Sequence, residues 1–103
     1  KGLAHLPFIP PYATNNAHIF YLVCRSLEER TQLIQHLRSH GIHAVFHYQS
    51  LHKSPYYVDK HDGRELPYSD RFSDCLARLP LYYQLSKEEI DFVIDRILKF
   101  YDL

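Results

Sequence analysis

Ala17-His18-Ile19-Phe20-Tyr21-Leu22-Val23-Cys24, followed at once by Ser26-Leu27-Glu28-Glu29, decides how this chain folds. The first stretch is a nearly continuous apolar run, rich in aromatic and β-branched side chains. It reads as a strand covered on both faces and therefore central in its sheet. The second is a capping-box pattern, in which Ser26 and Glu29 can satisfy each other's orphan N–H groups. Helix is expected over 27–40, because Leu33, Ile34 and Leu37 share one face and Gly41 offers a left-handed stop. A second strand is expected over 43–48. Strand, helix and strand form a βαβ unit, whose crossover is right-handed if the two strands run parallel.

Working outward, the pattern fades and then returns. Residues 53–67 hold Lys53, Asp59, Lys60, Asp62, Gly63, Arg64 and Glu65, a polar loop long enough for a lid, an interface or disorder. Ser69 to Leu76 reads as a short helix with Phe72, Cys75 and Leu76 inward. Arg78-Leu79-Pro80-Leu81 reads as a brief strand over 78–81, which proline confines to a sheet edge or a strand end. Ser86-Lys87-Glu88-Glu89 repeats the capping box, and Leu85 with Ile90 makes a hydrophobic staple. Ile90, Val93, Ile94, Ile97, Leu98 and Tyr101 then mark an apolar stripe over a helix at 86–100. The fold class expected is α+β, a small sheet covered by the helices at 27–40 and 86–100. Whether the third strand lies between the first two or at the edge is left open by the pattern.

Composition narrows the function classes. At 103 residues this is one domain. Twelve basic and twelve acidic side chains cancel, so there is no electrostatic footprint for nucleic acid or an anionic membrane. No apolar run reaches the roughly 18–20 residues of a membrane span, and no signal peptide is expected, as the N-terminus lacks a basic segment followed by a continuous apolar one. Cys24 and Cys75 lie in apolar segments outside any CxxC pair, which reads as two buried thiols in a reducing cytoplasm. Nine Tyr and six Phe exceed what one small core hides. Residues 1–16, with Pro7, Pro10, Pro11 and the turn-forming Thr14-Asn15-Asn16, read as an extended linker cut from a longer protein.

The candidate chemistry gathers in Val45-Phe46-His47-Tyr48-Gln49-Ser50-Leu51-His52-Lys53-Ser54-Pro55-Tyr56, a strand end running into a loop. Alternation along a strand sends His47 and Tyr48 to opposite faces, one toward a site and the other toward the domain's own packing. His52 could rejoin either after the loop. A solvated strand end with incidental histidines is the competing reading. His36 and His40 have the spacing of a metal-binding pair, but His40 continues the Leu33–Leu37 stripe and no third ligand is well spaced, so an edge-of-core role is favoured. His43 and His61 suggest no partner, and His18, at the start of the first strand, could cap a site or a subunit contact, though an incidental role is favoured. Only Gly2, Gly41 and Gly63 are available, which excludes a P-loop or dinucleotide fingerprint. Lys53, Lys60 and Lys87 sit in polar loops or at a helix start, where an ammonium stays solvated and unsuited to a Schiff base.

Taken in order, Arg25-Ser26 through Gly41-Ile42, Phe46-His47-Tyr48 with Leu51-His52 and Pro55-Tyr56, and Arg78-Leu79-Pro80-Leu81-Tyr82 with Leu85-Ser86-Lys87-Glu88-Glu89 resemble a specific family. They look like the C-terminal domain of the DegT/DnrJ/EryC1/StrS sugar aminotransferases, pyridoxal-phosphate enzymes of the aspartate-aminotransferase fold (fold type I). The resemblance covers about residues 7–101. Within the family, Pro10–His18 and Ala44–Tyr48 look closest to the branch making dTDP-4-amino-4,6-dideoxygalactose for enterobacterial common antigen and lipopolysaccharide. The resemblance implies a homodimeric enzyme that moves an amino group from glutamate to the keto carbon of a dTDP-linked sugar. It implies that residues 1–16 lead from a missing N-terminal large domain, with the C-terminal small domain at 17–103. Pyridoxal phosphate would be held by that large domain, so no catalytic, cofactor-binding or metal residue is carried onto this chain. The implied substrate-binding residues are His47 and Tyr48, with His52 supporting the loop. Many relatives have proline between the Tyr and the Leu-His, where this chain has Gln49-Ser50. A free-standing ferredoxin-like ligand-binding or regulatory domain is the alternative, and metal binding by the histidines a third reading.

Overall fold

A computed structural model describes residues 2–103. Its elements run β1 (Phe20–Val23), α1 (Leu27–Ser39), β2 (Val45–Phe46), a single 3₁₀ turn (Leu51–Lys53), α2 (Pro67–Cys75), β3 (Leu76–Leu79) and α3 (Lys87–Phe100). The three strands form one sheet in the order β1-β3-β2, with β3 antiparallel to both neighbours. β1 and β2 therefore point the same way, and β3 is threaded between them. This resolves the position that the apolar pattern left open.

The first strand is shorter than the expected 17–24 and lies at the sheet edge, not the centre. Its entry is taken by local polar bonds. The Asn15 and Asn16 side chains accept from the Ala17 and His18 N–H groups at 2.9 and 3.1 Å, and Ala17 turns to a φ of 53°. Those amides are thereby withdrawn from any ladder. The outer edge of β1 is in turn covered by His5, which exchanges two backbone hydrogen bonds of 2.9 Å with Val23. Such cover blunts an edge that would otherwise offer unpaired amides.

α1 forms where the pattern places it and ends one residue earlier, at Ser39. Ser26 Oγ accepts from the Glu29 N–H at 3.1 Å, but the reciprocal half of the box is shifted by one residue. Glu29 accepts instead from the Arg25 N–H at 2.7 Å and binds the Arg25 guanidinium. At the other end Gly41, at φ 76°, lets the Gly41 and Ile42 N–H groups reach the Arg38 and Leu37 carbonyls, both at 3.0 Å. That is the paired-bond termination a left-handed glycine permits. α3 carries the complete Ser86/Glu89 box.

β2 covers only Val45–Phe46 of the expected 43–48, because Tyr48 adopts a φ of 62° and cannot continue a ladder. β3 begins at Leu76, two residues before the expected 78–81, and stops at Leu79 because Pro80 has no N–H to donate. α2 starts at Pro67 rather than Ser69, with the proline at the first helical position, where a missing N–H costs nothing.

Leu22, Ala77 and Leu79 share one face of the sheet with Leu33 and Leu37 of α1, together with Cys24, Ile42 and Ala44. Leu33, Leu37 and Ala44 are wholly buried. Val93, Ile97 and Phe100 of α3 pack at the margin of this cluster. No helix among the described residues is long and apolar enough to cross a membrane.

Candidate functional site: a strand-end pocket held by α2

The chain leaves β2 at Phe46 and turns sharply. Because the ladder has already ended, strand alternation does not apply to the next two residues. His47 and Tyr48 lie side by side, with ring centroids 4.7 Å apart and planes tilted by 45°. The expectation that they point to opposite faces is therefore corrected: the left-handed Tyr48 brings both rings to one hollow of about 280 Å³. A tyrosine in this region costs about 1–2 kcal/mol relative to a right-handed conformation. Tyr48 is 74% exposed, while His47 is half-buried.

Three serines fix the turn. Ser73 Oγ of α2 donates to the Tyr48 carbonyl at 3.2 Å and accepts from the Ser50 N–H at 3.1 Å. Ser50 Oγ donates to the Ser69 carbonyl at 3.2 Å. Ser50 is buried, whereas its neighbour Gln49 is exposed. Ser69 and Ser73 are four apart and so share one helix face. Neither they nor Ser50 stand out in the sequence as site residues; the only available signal is that spacing.

His52 does not rejoin the pair. Its ring is directed to α2, where Nε2 meets Asp70 Oδ1 at 2.9 Å, and Lys53 Nζ meets the same oxygen at 3.0 Å. The Lys53 ammonium holds the Asp70 carboxyl below the usual carboxylate range, and His52 adds to this. His52 lines a second hollow of about 410 Å³ with His61, Lys60 and Arg64. The two hollows share only Leu51 and Ser69. Asp70, which spacing did not reveal, is thus the shared partner of His52 and Lys53.

The pocket at His47 and Tyr48 offers a phenol, an imidazole and aromatic faces, a set suited to hydrogen bonding and stacking of a planar or sugar-like ligand. A Schiff-base lysine needs a desolvated amine, and the described lysines do not fit. Lys53 is held protonated by its hydrogen bond to Asp70. Lys60 lies 3.7 Å over the Tyr56 ring and donates to the Tyr56 carbonyl. Lys87 pairs with Asp91 and Lys99 with Asp95, on the outer surface of α3. No step through pyridoxal phosphate is therefore derived from these residues.

Nor do the histidines gather. Among the described residues, no three His, Cys, Asp or Glu side chains converge as metal ligands. His36 Nε2 meets the Arg96 carbonyl at 3.0 Å and His40 Nδ1 meets the His36 carbonyl at 2.8 Å, ties that bind α1 to α3 and close its C-terminus.

A family match spans nearly the whole of this chain, with residues 1–98 matching the DegT/DnrJ/EryC1/StrS aminotransferase family. The chain belongs to that family. Its fold is the small α+β domain found in the C-terminal part of fold-type I aminotransferases, here a three-stranded antiparallel sheet with three helices. DesV of S. venezuelae, solved in complex with a ketimine intermediate, is 28% identical with a TM-score of 0.87, over 99% of this chain and 28% of its own. Spr1654 of Streptococcus pneumoniae, described as a sugar aminotransferase, is 26% identical in its PLP form with a TM-score of 0.83, over 97% of this chain and 26% of its own. The aminotransferase TlmJ from Streptoalloteichus hindustanus, at 20% identity, shares the fold with a TM-score of 0.85, over 98% of this chain and 27% of its own. This DegT-family chain thus spans about a quarter of the length of the relatives it matches.

Proposed function

We propose that this DegT-family chain is the C-terminal small domain of a sugar-nucleotide aminotransferase dependent on pyridoxal phosphate. The complete enzyme transfers an amino group from glutamate to the keto carbon of a nucleotide-linked 4-keto-6-deoxy sugar. It works as a homodimer, and its large N-terminal domain holds the cofactor. His47 and Tyr48 form one wall of the sugar-nucleotide pocket, and His52 supports that wall through Asp70. The observation that carries this reading is the family match over residues 1–98 in a chain a quarter the length of its relatives.

The surface favours a docked domain over a free-standing regulatory module. A groove of about 390 Å³ runs between α3 and the sheet, flanked by Leu6, Phe20, Leu81 and Leu85. Ile90, Ile94 and Leu98 of the α3 stripe are 41–48% exposed on it. Such a continuous apolar lining marks an interaction surface. In this reading the large domain covers it, with residues 1–16 as the connection. The stretches Pro10–His18 and Ala44–Tyr48 support dTDP-4-amino-4,6-dideoxygalactose as the product, made for cell-surface polysaccharide. Free Cys24 and Cys75 fit a reducing, cytoplasmic setting.

The division of labour is tested by treating the chain with pyridoxal phosphate and borohydride and locating the label by mass analysis. Scattered, substoichiometric labelling is the expected result. Stoichiometric labelling of one unique lysine would place the cofactor on this domain and overturn the proposal.

A further inference from the structure

We propose that Ser73 is the positioning residue for the His47–Tyr48 pair, acting from α2 through the backbone at Tyr48 and Ser50. The inference rests on the reading of that pair as the substrate wall, and adds to it a device that sets the pair's geometry.

A tyrosine with a φ of 62° persists only where surrounding contacts over-determine it. Ser73 supplies two of those contacts with one oxygen, since its hydroxyl donates to the Tyr48 carbonyl and accepts from the Ser50 N–H. These bonds reach back 25 and 23 residues along the chain, so they are tertiary contacts rather than local turn chemistry. A serine within a helix commonly bonds back to the carbonyl four residues earlier. Here that carbonyl belongs to Ser69 and accepts Ser50 Oγ instead. Ser73 is thereby free to face the loop. Ser50, with 5% of its surface accessible, has little access to water as a substitute partner. The side chains beyond the turn, His47 and Tyr48, make no bond to Ser73 themselves. Their 4.7 Å juxtaposition follows from where the clamp holds the backbone.

No proline fixes the backbone at Gln49-Ser50. The clamp at Ser73 supplies the constraint from the neighbouring helix.

Ser73→Ala removes donor and acceptor together while placing a better helix former in α2, so the variant folds. Amide exchange at Ser50 should accelerate at least tenfold, and the nuclear Overhauser contact between the His47 and Tyr48 rings should weaken. In the full-length aminotransferase carrying this sequence, KM for the dTDP-linked keto sugar should rise about tenfold. The half-reaction with glutamate should be unchanged, and Ser73→Thr should restore KM. Unaltered Ser50 exchange and ring contact in Ser73→Ala would overturn the clamp itself. A loosened loop with an unchanged KM would leave the clamp's geometry standing but overturn the substrate role of the pair, and with it the positioning role.

Discussion

At the scale of single residues, the backbone at Tyr48 governs the candidate site. The presence of His47, Tyr48 and His52 in one segment was legible in the sequence, but their disposition was not. A left-handed tyrosine has no sequence signature, because the contacts that hold it come from Ser73, 25 residues away. Tyr48→Gly removes the steric penalty along with the ring, so urea denaturation should show a gain of about 1 kcal/mol while ligand recognition falls. A loss of stability would mean that the ring's packing outweighs the backbone strain.

A second residue-level consequence concerns acid. Glu29 is held below its ordinary value of 4.5, chiefly by the Arg25 guanidinium, with the Arg25 N–H adding to this. A carboxylate with a depressed folded pKa contributes stability above its unfolded pKa and loses it as pH falls through the folded value. Stability should therefore decline from about pH 4.5 downward, and Glu29→Gln should flatten that part of the profile in chemical-denaturation measurements. Arg25 is largely exposed, which keeps the contribution small.

At the scale of elements, helices were legible and strands only partly so. The two Ser-x-x-Glu signals and the Leu33–Leu37 and Ile90–Ile97 spacings are local, so α1 and α3 fall within a residue of their expected limits. β1 and β2 are shorter than their apolar runs, because Asn15 and Asn16 take the amides where the first run begins and Tyr48 turns the backbone where the second ends. The insertion of β3 between β1 and β2 is a tertiary outcome that no local pattern encodes. Ser86→Ala should cost about 1 kcal/mol, seen as a fall in Tm of roughly 4–8 °C in a domain of this size. Leu37→Ala, at a position with no solvent exposure, should cost about 2–5 kcal/mol. Against a total stability of roughly 5–15 kcal/mol, that change should appear as a clear drop in the urea midpoint followed by circular dichroism.

At the scale of the whole molecule, the α3 stripe shows why a strong amphipathic pattern does not by itself imply burial. Leu22 and Leu79 of the sheet line one side of the α3 groove, but Ile90, Ile94 and Leu98 remain open to solvent. The Tyr and Phe content signalled surplus apolar surface, but no tyrosine lines this groove, whose walls are mostly Leu, Ile and Val. Ile94→Lys replaces a side chain that is 48% exposed, so the chain alone should keep its stability within about 0.5 kcal/mol. The same change should weaken docking of the large domain, read as a lower Tm of the full-length enzyme.

The central claim is that this domain supplies the sugar-nucleotide wall and leaves the cofactor to the rest of the enzyme. On the proposed function, a full-length aminotransferase carrying this domain should pass an amino group in two separable half-reactions, one with glutamate and one with the dTDP-linked keto sugar. Its rates with His47→Ala and Tyr48→Phe, measured separately for each half, test the claim most directly. The account predicts a sugar half-reaction slowed about tenfold, the loss of roughly 1.4 kcal/mol expected for one hydrogen bond or stacking contact, with the glutamate half-reaction unchanged. Equal loss in both halves, or loss in neither, would contradict it.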